Sequence, residues 1–284
     1  MRWDRSHRSP NLEDRRGEGP ARGGVGGGFG GLGILALLSR FGWKGILIGL
    51  LLAGLMTYGG GSSLCTGGEA PSSRQAPVEG REQGAVRPGS EDELVRFVGF
   101  VFDDVQSTWR KQLGDYRDAR MVVFRDAVRS ACGTTSSAVG PFYCPLDQRV
   151  YIDLAFYRDL TRRFGAPGDF AQAYVIANEV GHHLQRQAGV LGGGGGGRRE
   201  SIQTELQADC LAGAWARSAE TRGLLEVGDV DEALAAAAAI GDDRIQEQTQ
   251  GQITPETWTH GSAEQRSAAW KKGYRGGSAA TCGL

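Results

Sequence analysis

Two imidazoles four residues apart on a helix can hold one metal ion. The stretch Asn178-Glu179-Val180-Gly181-His182-His183 falls one residue short of that arrangement. In an H-E-x-x-H helix both histidines share a face and reach one zinc, while the glutamate between them activates the zinc-bound water. Glu179 and His182 keep the spacing, but Asn178 stands where the first histidine belongs. An amide oxygen is a neutral, hard donor, whereas zinc prefers imidazole, thiolate or carboxylate. His183 is a poor substitute, because adjacent side chains on a helix point about 100° apart.

Two further groups belong to the same chemistry. Glu205 and Asp209 lie one helical turn apart downstream. They offer one carboxylate as a metal ligand and a second that can hold an imidazole in place. His260, in Thr259-His260-Gly261-Ser262, and Arg266 add a histidine and a cation able to steady a developing oxyanion. Taken singly, each has a plainer reading: a hydrogen-bonded structural histidine, or a charge on a solvated helix face.

The elements that must position these residues are mostly helical. Leu94, Val98, Val101, Phe102, Val105 and Trp109 recur at helical spacing after an acidic start at Glu91-Asp92-Glu93, which predicts a helix to about Leu113. Met121–Phe124 and Arg149–Leu154 read as strands separated by a loop bracketed by Cys132 and Cys144. A strand beside the metal-site helix would provide an edge along which an extended peptide can lie. A helix over about 170–188 carries the hexapeptide, and one over about 200–219 carries Glu205 and Asp209. Another runs from Asp229 to Gly241, and a capping box at Ser262–Gln265 opens the last, through about Tyr274. The six glycines at 192–197 read as a flexible loop, since no Lys-Ser/Thr follows to make a phosphate cradle.

Composition bounds the rest. A formal net charge of -1 over 284 residues gives no support for nucleic-acid binding. Residues 1–40 are Arg-rich and then Gly-rich, with too little apolar surface to fold alone, so they read as a disordered tail in which His7 has no role. The apolar run 41–60 has the length of one transmembrane helix, 61–90 reads as a flexible linker, and 91–284 as the folded domain. Cations cluster before the run, from Arg2 to Lys44. That pattern predicts a single-pass anchor with a cytoplasmic N-terminus and the main domain periplasmic or extracellular. Of five cysteines, Cys132, Cys144, Cys210 and Cys282 fall in the domain and allow two disulfides in an oxidising space, Cys132–Cys144 and Cys210–Cys282 being one pairing among several. Cys65 is left over in the linker.

The chain resembles the bacterial neutral zinc metallopeptidase family of membrane-anchored proteins. The resemblance is carried by Asn11-Leu12-Glu13-Asp14-Arg15-Arg16, Gly140-Pro141-Phe142-Tyr143-Cys144-Pro145, Gly168-Asp169-Phe170-Ala171, Glu205-Leu206-Gln207-Ala208-Asp209-Cys210, Ile240-Gly241-Asp242-Asp243 and Thr259-His260-Gly261. It runs nearly end to end outside the glycine-rich segments. It implies an α+β fold: a mainly helical, zincin-like metallopeptidase domain with a small β-sheet, preceded by one transmembrane helix. It further implies a Zn²⁺ cofactor and a peptide or protein substrate. Position by position, Glu179 falls on the general base, His182 and Glu205 on zinc ligands, Asp209 on the outer-shell carboxylate, and His260 and Arg266 on residues assisting the transition state. Asn178 falls on the first histidine ligand. The implied function is peptide-bond hydrolysis by a metal-activated water, weakened or lost through Asn178. The alternative is an inactive relative that binds peptides or partner proteins in the same cleft.

Overall fold

The computed structural model describes residues 1–18, 90–136, 140–191 and 198–284. The expected span at 41–60, the linker at 61–90, Cys65 and the glycine run at 192–197 lie outside the described residues.

Helix α1 (Glu91–Gln112) forms as its periodicity predicts. Ser90 caps it by accepting the Glu93 amide, and Phe97, Val98, Val101, Phe102, Val105 and Trp109 make its buried face. Strands β2 (Arg120–Phe124) and β6 (Arg149–Asp153) pair in parallel at the centre of a four-stranded sheet, and both are almost wholly buried. Near-continuous apolar sequence is what a strand covered on both faces requires. The sheet order is β1-β2-β6-β5. β1 (Leu12–Asp14) joins one edge in parallel, and β5 (Phe142–Cys144) joins the other antiparallel to β6. A hairpin of β3 (Ala127–Ser130) and β4 (Gly133–Ser136) stands beside it. Cys132 at the hairpin turn is bonded to Cys144 on β5.

The helical layer follows: α2 (Ala155–Arg162), α3 (Asp169–Gln187), α4 (Arg198–Thr221), α5 (Asp229–Ala239), α6 (Asp242–Gln250) and α7 (Ala263–Gly276). α4 and α7 pack backbone to backbone. A Cβ on Gly213 would strike the Trp270 carbonyl, and one on Gly273 would strike the Cys210 carbonyl. Gly181 on α3 sits against Ala208 on α4, where a Cβ would lie 3.0 Å from the Ala208 Cα. These close approaches bring α3 and α4, the two helices bearing the candidate site, against each other. A second disulfide, Cys210–Cys282, ties the end of the chain to α4. Both cysteine pairings named from the sequence are therefore formed.

Four expectations are corrected. Residues 1–18 are not a disordered tail. Met1 is 5% exposed, its ammonium lies 2.5 Å from Asp169 Oδ1, and the Arg2 amide donates to the Leu224 carbonyl. Trp3 packs edge-on against Phe97, and His7 Nε2 meets Asp103 at 2.7 Å. The segment buries its few apolar residues on a partner surface supplied by α1 and β2, which composition alone does not reveal. The fold class with a transmembrane helix and the single-pass localisation are overturned too. Among the described residues, no helix is long and apolar enough to cross a membrane. Residues 1–21 and 85–284 also form one compact unit. Lastly, the stretch bracketed by Cys132 and Cys144 is not simply a loop, since it holds β4 and leads into β5.

Candidate metal centre

α3 is buried on nearly every side. One stripe of it, Val175, Asn178, Glu179 and His182, faces a cavity of about 1400 Å³ that Glu205, His260 and Arg266 also line. The structure thus brings together six of the seven residues singled out from the sequence. The seventh, Asp209, is fully buried just behind them.

His182 is held in one orientation by a hydrogen bond from its ring. Its Nδ1 meets Gln185 Oε1 at 2.8 Å, and Gln185 in turn donates to the Thr204 carbonyl and to Gln207. A proton fixed on Nδ1 leaves Nε2 as the cavity-facing nitrogen. That Nε2 lies 3.5 Å from a Glu205 carboxylate oxygen. Burial alone would push the imidazole down, but the Glu205 carboxylate overrides it and raises His182 to about 9. Burial likewise pushes Glu205 up, and the His182 charge outweighs it, bringing Glu205 down to about 2. The two candidate ligands thus face each other as an ion pair.

Glu179 is 9% exposed, and burial raises its carboxyl to about 7. No hydrogen bond holds it among the described residues. His260 projects from a loop clamped by Asp242, whose Oδ2 accepts the amides of Thr259, His260 and Gly261 and whose Oδ1 lies 3.1 Å from His260 Nδ1. That hydrogen bond raises the His260 pKa above its ordinary value. The ring's Nε2 has no hydrogen-bond partner among the described residues.

Asp209 is the hub of the buried network. It accepts from the Tyr174 hydroxyl at 2.6 Å, from Asn178 Nδ2 at 2.9 Å and from Arg266 Nε and Nη2 at 2.8 and 2.9 Å. Arg266 also donates to the Ile240 carbonyl and to Tyr174. Its guanidinium is therefore engaged in holding Asp209, which leaves little of it to meet an oxyanion. His183 is fully buried, with Tyr143 donating to its Nδ1 and its Nε2 meeting the Arg117 carbonyl at 2.7 Å. It pins β5 to α3 and is not available as a replacement ligand.

The donor set does not fit a resident three-ligand zinc. A catalytic zinc takes three protein ligands and leaves one position open. Here two are of the right type, His182 and Glu205. The amide at 178 must direct its nitrogen at Asp209, because a carboxylate paired with Arg266 only accepts. Asn178 Nδ2 thereby does what the Nδ1–H of a histidine would do in an outer-shell hydrogen bond. Its remaining oxygen sits on a side chain too short to reach where an Nε2 would be. Among the described residues, one cluster places three carboxylate or imidazole groups within 4.8 Å, namely Asp169, Asp229 and Glu232. That cluster faces the Met1 ammonium.

Sequence reasoning missed Tyr174, Gln185 and Asp242 as parts of the site. Tyr174 and Gln185 carry a faint signal: one is four residues before Asn178, the other three after His182. Asp242 lies in a block that carries the family resemblance but names no role.

The whole chain, residues 1–284, matches the family model described as "Putative neutral zinc metallopeptidase". It is 40% identical over 301 residues to the uncharacterized protein YpfJ of Escherichia coli K12, covering 99% of this chain and 98% of that protein. It is 45% identical over 195 residues to an uncharacterized protein of Mycobacterium tuberculosis, covering 63% of this chain and 67% of that one. No solved structure matches.

Proposed function

The chain belongs to the neutral zinc metallopeptidase family, and from that premise we propose that it is a peptide-binding member whose hydrolytic centre has been silenced by loss of one metal ligand. The observation that carries this reading is the hydrogen bond from Asn178 Nδ2 to Asp209, which commits the amide to the outer-shell contact and takes position 178 out of the ligand set. The lining of the cavity supports the peptide-binding reading. Glu179, His182 and Glu205 face one cavity, and Phe142 and Tyr143 of the edge strand β5 form part of its wall. A strand with one unpaired edge can take up an extended peptide through main-chain hydrogen bonds.

A second reading, residual peptide hydrolysis with Glu179 as general base, is favoured by one observation. Burial holds the Glu179 carboxyl at about 7, where a general base works best at neutral pH. The two readings separate in one experiment, in which a fluorogenic peptide mixture is offered to the full chain and to Asn178→His. We expect the wild type to bind peptide without cutting it and the variant to cut when supplied with zinc. Wild-type cleavage that disappears both in Glu179→Gln and in chelator would overturn the silent reading.

A further inference from the structure

The ring of His182 is oriented from a distance as well as by its neighbour. Gly181 on α3 sits against Ala208 on α4, where a Cβ would lie 3.0 Å from the Ala208 Cα. That close approach lets two glutamines meet between the helices, Gln185 one turn further along α3 and Gln207 beside Ala208. Gln185 Nε2 donates to Gln207 Oε1 at 3.0 Å. Gln207 reaches on to the short turn Ala280–Cys282, where its Nε2 donates to the Cys282 carbonyl at 3.0 Å. Cys282 is held there by its bond to Cys210, which follows Gln207 by three residues on α4. Three hydrogen bonds therefore run in one line from the Cys282 carbonyl through Gln207 and Gln185 to His182 Nδ1, the last at 2.8 Å.

The direction of the line is fixed at its far end. A backbone carbonyl only accepts, so it must face the NH2 end of the Gln207 amide, and Gln207 Oε1 must then face Gln185. Gln185 has a second carbonyl beside its Nε2, that of Thr204 at 2.6 Å, and turns its own oxygen to His182. An amide oxygen opposite Nδ1 can only accept, which requires the hydrogen to sit on Nδ1. Gln185 is fully buried, so both of its N–H hydrogens need partners; Thr204 supplies one and Gln207 the other. Without Gln207 one of them is stranded in the interior, and the amide gains a reason to turn away from His182.

We propose that Gln207 and the Cys282 carbonyl are positioning groups for His182: acting through Gln185, they hold the ring with Nδ1 turned to the protein and Nε2 to Glu205, 3.5 Å away. The Cys210–Cys282 disulfide then serves the site as well as the fold, because it keeps in place the carbonyl that orients Gln207. The ring is held in this way whether the cleft only binds peptide or also cuts it.

The test is proton exchange at the histidine rings of the full chain, labelled with 15N-histidine and followed by NMR, no peptide being present. Its four histidines are assigned by single substitution. His183, the next residue on α3 but held by Tyr143 and Arg117 instead, reports on the helix itself. In Gln207→Leu, which neither donates nor accepts, the His182 Nδ1–H is expected to exchange with water about 10-fold faster than in the wild type, while the His183 ring proton keeps its rate. Gln207→Glu still offers Gln185 an acceptor and is expected to stay within about threefold of the wild type at His182. Replacing Cys210 and Cys282 together by serine is expected to accelerate His182 by about threefold or more, again without His183. Equal His182 rates in the wild type and Gln207→Leu would overturn the proposal. So would acceleration of His182 and His183 together, which marks a loosened helix, or a Gln207→Glu variant as fast as Gln207→Leu. A His182 rate unmoved by loss of the disulfide would remove Cys282 from the positioning groups.

Discussion

Replacing Glu179 by Gln should make the protein more stable at pH 8 and leave it almost unchanged at pH 4. Glu179 is 9% exposed, makes no hydrogen bond among the described residues, and has its carboxyl raised by burial from 4.5 to about 7. A carboxyl whose folded pKa exceeds its unfolded value favours the folded state when protonated. That contribution is fully present below the unfolded pKa of 4.5 and is lost as pH rises through 7. A shift of roughly 2.5 units corresponds to about 3 kcal/mol, an upper figure because neighbouring charges relax. Glutamine has nearly the same shape and no charge to desolvate, so it escapes the penalty at every pH. The assay is urea denaturation of wild type and Glu179→Gln at pH 4 and pH 8 in chelator, comparing the difference between variants at the two values. Titrating groups distant from the cavity cancel in that comparison, whereas His182 and Glu205, which act on Glu179 with opposite signs, partly offset each other. We expect the variant to gain on the order of 1–3 kcal/mol relative to wild type between pH 4 and pH 8. A gain that does not change with pH, or a loss at pH 8, would refute the claim that Glu179 is held ionised against its surroundings.

Two further outcomes follow from the buried scaffold. Arg266→Met strands the Asp209 carboxylate in the interior, where Arg266 now meets it at 2.8 Å, so unfolding should become easier by roughly 3–5 kcal/mol. A denaturation loss under about 1 kcal/mol would show that Asp209 has other sufficient partners. The Cys210–Cys282 disulfide closes a 72-residue separation, so replacing both cysteines by serine should lower stability by about 4 kcal/mol on the loop-entropy estimate. Thermal unfolding with and without reductant checks it, and an unchanged midpoint would count against the bond's contribution.

Much of the site was legible because helical spacing is a strong local signal. Asn178, Glu179 and His182 lie on one stripe of α3, and Glu205 lies across from them on α4, as their positions in sequence require. α1, β2, β6, α5 and α7 were readable for the same reason, each having its own periodicity or cap. What stayed hidden depends on partners far away in the chain. β1 is three residues long and pairs with a strand more than a hundred residues downstream. β5 is equally short, and its pairing is invisible until β6 lies beside it. α6 has no buried residue, so it lacks the apolar stripe by which helices are recognised. Arg266 looked like a cation free to meet a ligand, because nothing local shows that Asp209 and Tyr174 occupy it. The apolar run 41–60 misled about the fold. Hydropathy measures a window by itself, and among the described residues no helix is long and apolar enough to cross a membrane.

The central claim is that Asn178 keeps the hydrogen bond to Asp209 and forfeits the metal. Zinc content after dialysis, measured by mass spectrometry for the wild type and Asn178→His side by side, tests it most directly. The account predicts less than one-tenth of a zinc per chain for the wild type, on the order of a 100-fold or greater deficit in affinity, and close to one per chain for the variant. A wild type that emerges with one tightly held zinc per chain would contradict it.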